Sequence, residues 1–353
     1  GLFARPNAGR VPVVEPSRVC SPVVLIRPER NLPTTIDELL GPGLSKRLDR
    51  LDVMSRKVFA GRLPGERRSK RRGESVEFDD YRDYTPGDDL RRLDWNAFAR
   101  FDRFFVKLFR AEEDLGLHIL LDCSASMLAG GGDAPSKLLF AHRLAMALAY
   151  IGLVNQNRVS VATFGHTGAD PLRRLAPLRG RRQTVRVAKF LLESLESSEH
   201  AAPSPEADQR GRGAFERALR AFGLAREGSG VVILVSDGMV VEGVESGLSY
   251  LVGGGGLDAS FVQVLAPSEI APERAAQSGL VGDLRLTDAE TGRGVEVTMS
   301  GAIIRQYKQR LDAHIERVQR ACAARDVGHL LVPSDTDVGD LLLGQLRQRG
   351  VLG

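Results

Sequence analysis

The chain has 353 residues, 42% hydrophobic and 27% charged, with 49 Lys and Arg against 45 Asp and Glu for a net charge of +4. That is ordinary globular composition, so wholesale disorder and fibrous repeats are excluded, and at about 150 residues per domain the length suits roughly two units. Three cysteines (Cys20, Cys123 and Cys322) lie far apart with no CxxC pair, which argues against a disulfide framework or zinc ribbon and predicts a reducing, cytoplasmic setting.

The first 33 residues carry six of the 17 prolines. Proline fixes φ and removes a donor, so residues 1–38 are expected to form a proline-rich extended arm. Residues 39–115 are expected to form a segment packing on the core. At its start, Leu39, Leu40, Leu44, Leu48, Leu51 and Phe59 have helical spacing, broken by Gly41-Pro42-Gly43. Residues 75–110 read mainly as strand and turn, and Pro86-Gly87 suits the centre of a type II turn. The sole tryptophan, Trp95, is expected to be a packing anchor. Arg67, Arg68, Lys70, Arg71 and Arg72 form a basic run, and Glu74, Glu77, Asp79, Asp80, Asp83, Asp88 and Asp89 follow it. These acids cancel much of its field within a Debye length of about 10 Å, which favours a solvated loop over a nucleic-acid patch.

From residue 116 to 353 the pattern alternates strand and helix. Leu117–Leu121 reads as a strand, Lys137 to about Val154 as a helix capped by Ser136, and Arg158–Phe164 as the next strand. Helices are expected over Thr184–Leu195 and Gly213–Ala225. Val231–Val235 lacks alternation, as a parallel strand buried on both faces does. Ser260–Leu265 and Gly328–Val332 look like two further strands. A hairpin insertion near 280–298 turns at Glu290-Thr291-Gly292, and Ala302–Arg325 reads as a long amphipathic helix. The fold class is therefore α/β: a doubly wound, mostly parallel, Rossmann-like sheet with an N-terminal β-rich segment ahead of it. No apolar run reaches the ~20 residues that span a bilayer, and Leu138–Val154, interrupted by His142 and Arg143, reads as a buried amphipathic helix.

Several chemistries lack their residues. There is no Gly-Lys dipeptide for a Walker A loop, no serine flanked by glycines at −2 and +2, and no GxGxxG after a strand. No two histidines stand within four residues of each other, which removes HExxH zinc sites. One constellation remains. Asp122-Cys123-Ser124-Ala125-Ser126 follows the first core strand, where open α/β sheets bind ligands. Asp122, Ser124 and Ser126 present hard oxygen donors suited to Mg²⁺, and Asp237 ends a later buried strand as a second carboxylate. The blander alternative is that Asp122 and its serines merely cap the next turn. Cys123, inside the loop, is expected to point into the core.

DxSxS after one strand, with an aspartate after another, resembles the metal-ion-dependent adhesion site (MIDAS) of von Willebrand factor type A domains. Glu77-Phe78-Asp79-Asp80-Tyr81-Arg82-Asp83-Tyr84-Thr85-Pro86-Gly87-Asp88-Asp89-Leu90-Arg91-Arg92-Leu93-Asp94-Trp95, with Met127 and Lys137 further on, resembles the signature of bacterial domain-of-unknown-function family fifty-eight (DUF58). That resemblance covers roughly residues 40–350 and implies a type A-like domain. Its pattern departs at one point: Gly213 stands where type A domains place a threonine ligand, so Mg²⁺, if bound, takes water there. Thr184 is a less natural substitute. The resemblance implies a non-enzymatic, metal-dependent protein-binding module. It further implies an adaptor role with a MoxR-type AAA+ ATPase or its client protein, without nucleic acid or a membrane span. The alternatives are a metal-dependent phosphohydrolase using Asp122, which lacks the second aspartate at Ser124 that such enzymes need, and nucleic-acid binding through residues 67–72.

Overall fold

A computed structural model of the chain describes residues 2–6, 32–41, 43–54, 77–85, 93–110, 116–130, 134–166, 170–199, 213–225, 230–240, 243–253, 256–273, 282–288 and 294–353. Two compact units are present: residues 1–60 with 115–353, and residues 61–114. The basic run 67–72, Pro86-Gly87, Asp88, Asp89, Arg91, Arg92 and Cys20 lie outside the described residues.

In chain order the elements are β1 (Leu2–Pro6), α1 (Ile36–Leu40), α2 (Leu44–Leu48), β2 (Glu77–Asp83), α3 (Trp95–Phe101), β3 (Phe105–Arg110) and β4 (Gly116–Asp122). There follow α4 (Lys137–Val154), β5 (Arg158–Phe164), β6 (Arg173–Leu178), α5 (Thr184–Glu199), α6 (Ala214–Ala225), β7 (Gly230–Ser236) and α7 (Glu245–Val252). The chain continues through β8 (Leu257–Leu265), β9 (Gly282–Asp288), β10 (Gly294–Met299), α8 (Gly301–Ala323) and β11 (Gly328–Pro333).

Six strands form the central sheet, in the order β11-β8-β7-β4-β5-β6. All neighbours run parallel except β6, which pairs antiparallel with β5 at one edge. Every residue of β4, β7 and β8 is buried, because helices cover both faces, which is why these strands show no polar alternation. The twofold period survives in where the side chains go. Leu117, Ile119, Leu121, Val231, Ile233 and Val235 join one core with α1, α2, α4 and α5. Leu120, Val232 and Leu234 join the other, with α6, α7 and the end of α8. The chain leaves β4 first toward β5 and later returns to its other side as β7. The ends of β4 and β7 thus flank the topological switch point, where open α/β sheets form their binding crevice.

α4 begins where predicted, with Ser136 Oγ accepting from the Leu139 N–H at 3.1 Å. It is not amphipathic: the sheet lies on one side and α1, α2 and α5 on the other, so 89% of its length is buried and an apolar surface is needed all round. The helical spacing from Leu39 to Leu51 folds as α1 and α2, interrupted by Gly41 and Gly43, whose φ angles of 87° and 74° belong to the left-handed region. Two elements give no strong signal in the sequence. β6 is an exposed edge strand opening with Arg173 and Arg174, and α7 is short. β1, from the proline-rich arm, pairs with β9, and β9 with β10, in a separate three-stranded antiparallel sheet.

In the smaller unit, β2 and β3 form an antiparallel pair with an irregularity between Phe78 and Asp80. α3 separates them, a helix where strand and turn were expected. Asp94 starts it by accepting from the N–H groups of Asn96 and Ala97 at 2.9 and 3.1 Å, a strong N-cap. The Tyr81 hydroxyl donates to the other Asp94 oxygen at 2.8 Å. Within this unit Trp95 meets Phe98 edge-on.

Candidate functional site

β4 delivers Asp122 to the switch point, and the chain then turns sharply through Ser124 into a short 3₁₀ segment, Ala125–Leu128. The turn is held from inside. Asp122 Oδ1 accepts from the Ser124 N–H at 2.9 Å, and the Cys123 N–H donates to the Phe164 carbonyl at 2.7 Å. Gly165 follows on β5 with φ of 82°, and a Cβ there would lie 2.6 Å from Ser124 N and 3.0 Å from Asp122 Oδ1. A side chain at 165 and the Asp122 turn cannot share that space.

β7 ends in a matching turn. Asp237 Oδ1 accepts from the Met239 N–H at 2.9 Å, and Ser236 Oγ accepts from the Gly238 N–H at 2.9 Å. Ser236 also donates to Asp122 Oδ2 at 2.6 Å, joining the two strand ends. Ser124 Oγ lies 3.1 Å from Ser126 Oγ, and Ser126 stands near enough to the Asp237 carboxylate to help lower it. The four residues singled out from the sequence, Asp122, Ser124, Ser126 and Asp237, therefore meet in one linked group. Asp122, Ser126 and Asp237 are buried, and Ser124 is partly so.

The electrostatics separate the two aspartates. Burial, with the charge of Asp237 next, pushes the Asp122 carboxyl up to about 6. Burial acts on Asp237 in the same sense, but Lys137 overturns it and holds that carboxyl below its ordinary value. Lys137 Nζ lies 2.8 Å from Asp237 Oδ2 and 2.8 Å from Glu269 Oε1. Burial alone would lower the lysine; the two carboxylates more than offset it and keep it charged. Burial raises Glu269 against the pull of Lys137. Both of its oxygens nevertheless face donors, the ammonium and the Ala266 N–H at 2.7 Å, which fits a carboxylate.

Lys137, Glu269, Ser236 and Gly165 are the residues that sequence reasoning left without a role. Lys137 carried a signal: a cation at the first position of a helix opposes the macrodipole and needs a local anion. Ser236 carried none beyond ending β7, and Glu269, in the short helical turn Pro267–Ile270 after β8, carried none.

Neither Gly213, which stands where a threonine donor was expected, nor Thr184, its candidate substitute, adds an oxygen to this group. Gly213 precedes α6 with φ of 66°, and a Cβ there would have only Arg217 Nη1 within 4 Å. The Thr184 hydroxyl donates to the Arg181 carbonyl. Cys123 points inward, its sulfur 3.5 Å from Ser194 Oγ, and burial pushes its thiol up to about 12, so it packs as a small hydrophobe. Among the described residues no three His, Cys, Asp or Glu side chains gather as a metal cage. A divalent cation here would rest on carboxylate and hydroxyl oxygens with water completing its shell. Two hard carboxylates and two adjoining hydroxyls fit that demand.

The fold and this edge define an open, doubly wound α/β domain with a buried aspartate–serine cluster at its switch point. Residues 80–317 match the family model described as protein of unknown function DUF58, and the chain belongs to that family. Uncharacterized proteins of Mycobacterium tuberculosis and Mycobacterium bovis are each 26% identical to it over 303 residues, covering 85% of this chain and 88% of theirs. Among solved structures, a conserved hypothetical protein BatB from Bacteroides thetaiotaomicron aligns with a TM-score of 0.38 at 16% identity, over 67% of this chain and 98% of that one. An aerotolerance-related membrane protein from Bacteroides fragilis aligns with a TM-score of 0.34 at 17% identity, over 66% and 97%.

Proposed function

We propose that this chain is a non-enzymatic, metal-dependent protein-binding module of the von Willebrand factor type A kind, working as an adaptor with a MoxR-type AAA+ ATPase or its client. The observation that carries the reading is the pairing of Asp122 and Asp237 at adjacent strand ends, with Ser124 and Ser126 beside them. Burial first, and then the charge of Asp237, raise the Asp122 carboxyl, so a second negative charge is costly here. A Mg²⁺ ion relieves such repulsion, and when bound it offers an open coordination position to a partner's carboxylate. Strand order supports the same reading, since the cluster lies where a doubly wound sheet presents its crevice.

Asp122, Ser124 and Ser126 would hold the ion, with the Asp237 carboxylate beside them. The phosphohydrolase alternative needs a second aspartate two positions after Asp122, where Ser124 stands. The test is a pull-down with a MoxR-type AAA+ ATPase of the same organism, in Mg²⁺ and in EDTA, using Asp122→Ala and Ser124→Ala. Truncating one member of a desolvated charged contact costs about 2–5 kcal/mol, enough to lose a micromolar complex. Capture that survives both substitutions and EDTA would refute the proposed edge, and phosphatase activity lost in Asp122→Ala would make the protein an enzyme.

A further inference from the structure

Lys137 is completely buried, yet the proposed function gives it nothing to do. A buried ammonium is costly unless it is well paired, and here it opens a helix, the end at which the macrodipole disfavours cations. Two carboxylates from other parts of the chain converge on it: Asp237 after β7 and Glu269 in the turn after β8, each at 2.8 Å. Glu269 is itself fixed by the Ala266 N–H. Asp237 and Glu269 thus face one ammonium, and Asp122, which feels the charge of Asp237, brings the edge to three carboxyl groups against a single cation. The lysine also occupies Asp237 Oδ2, while the Met239 N–H takes Oδ1, so both oxygens of this carboxylate already face donors.

We infer that Lys137 is the resident cation of this edge, a positioning residue whose ammonium takes one oxygen of Asp237 and confines any divalent ion to Asp122, Ser124 and Ser126. The inference rests on the same edge as the proposed function and refines how that edge selects its ligand. Its consequence is that the charge and coordination available to a metal are set by residue 137. Removing the ammonium frees an Asp237 oxygen and adds one uncompensated negative charge, and both changes favour a divalent ion.

The experiment compares wild type, Lys137→Met and Lys137→Arg by thermal melts in EDTA and across a Mg²⁺ titration, with Na⁺ at matched ionic strength. Lys137→Met should melt lower in EDTA and bind Mg²⁺ at least about tenfold more tightly than wild type, as expected when a charge is withdrawn from a poorly screened neighbour. Lys137→Arg keeps the charge and should retain the wild-type Mg²⁺ response even if misfit lowers its melt. Should Lys137→Met fail to fold in EDTA, Lys137→Met with Glu269→Gln restores the original charge while leaving Asp237 free, and it too should bind Mg²⁺ more tightly than wild type. A Mg²⁺ affinity in the folded Met-bearing protein equal to or weaker than that of wild type overturns the inference. A wild type blind to Mg²⁺ beside a responsive Lys137→Met protein would sink the metal part of the proposed function and leave this inference standing. A wild-type response unchanged in Lys137→Met would do the reverse.

Discussion

Asp122→Asn should stabilise the metal-free protein at neutral pH. Burial and Asp237 raise the Asp122 carboxyl from 3.8 to about 6 in the folded chain, and each pH unit is worth about 1.36 kcal/mol. A carboxyl whose folded pKa lies above its unfolded value contributes its full stability below pH 3.8 and loses it as the pH rises through about 6. At pH 7 the ionised group therefore costs the fold about 3 kcal/mol relative to the protonated one. Asparagine resembles the protonated acid: its oxygen can still accept from the Ser124 N–H, and its amide can donate to Ser236. Urea unfolding in EDTA at pH 7.5 should show a gain approaching about 3 kcal/mol, shrinking toward zero near pH 4 where wild-type Asp122 is already protonated. In Mg²⁺ at 100 times its Kd the wild type alone gains about 2.7 kcal/mol, so the difference should all but vanish, and at 1,000 times Kd, where the gain is about 4.1 kcal/mol, the order should reverse. An Asp122→Asn protein that is less stable than wild type in EDTA at pH 7.5 would refute the repulsion argument. A gain identical at both pH values would refute it as well.

His142 is buried and held down to about 4 by desolvation, so its share of stability is complete above pH 6.5 and is lost as pH falls toward 4. That share is on the order of 3 kcal/mol; urea midpoints should fall over this range, and a His142→Leu protein should show a flatter profile. Gly165→Ala should destabilise by at least about 1–2 kcal/mol, the cost of a left-handed residue bearing a Cβ, because its φ is 82° and its Cβ would crowd Ser124 N. The same substitution should also remove any Mg²⁺-dependent rise in melting temperature, since it displaces the Asp122 turn.

What the sequence determined by itself was the part encoded within a few residues. Val231–Val235 could only be a strand buried on both faces, Ser136 could be recognised as a helix cap, and Asp122, Ser124, Ser126 and Asp237 stood at strand ends in a recognisable spacing. Such features depend on periodicity and local hydrogen bonding, which neighbouring residues control. Trp95–Phe101, Arg173–Leu178 and Glu245–Val252 were not legible in the same way. Each is short, and the two arginines that open Arg173–Leu178 give an edge strand no apolar alternation to display. Tertiary structure alone decided the strand order, the burial of α4 on every side, and the capture of Lys137 by Asp237 and Glu269. Those partners stand 100 and 132 residues further along the chain. A charge pair across such a separation exists only once the sheet has brought β4, β7 and β8 together, because the Coulombic and desolvation energies that create it depend on distance in space and leave no local pattern.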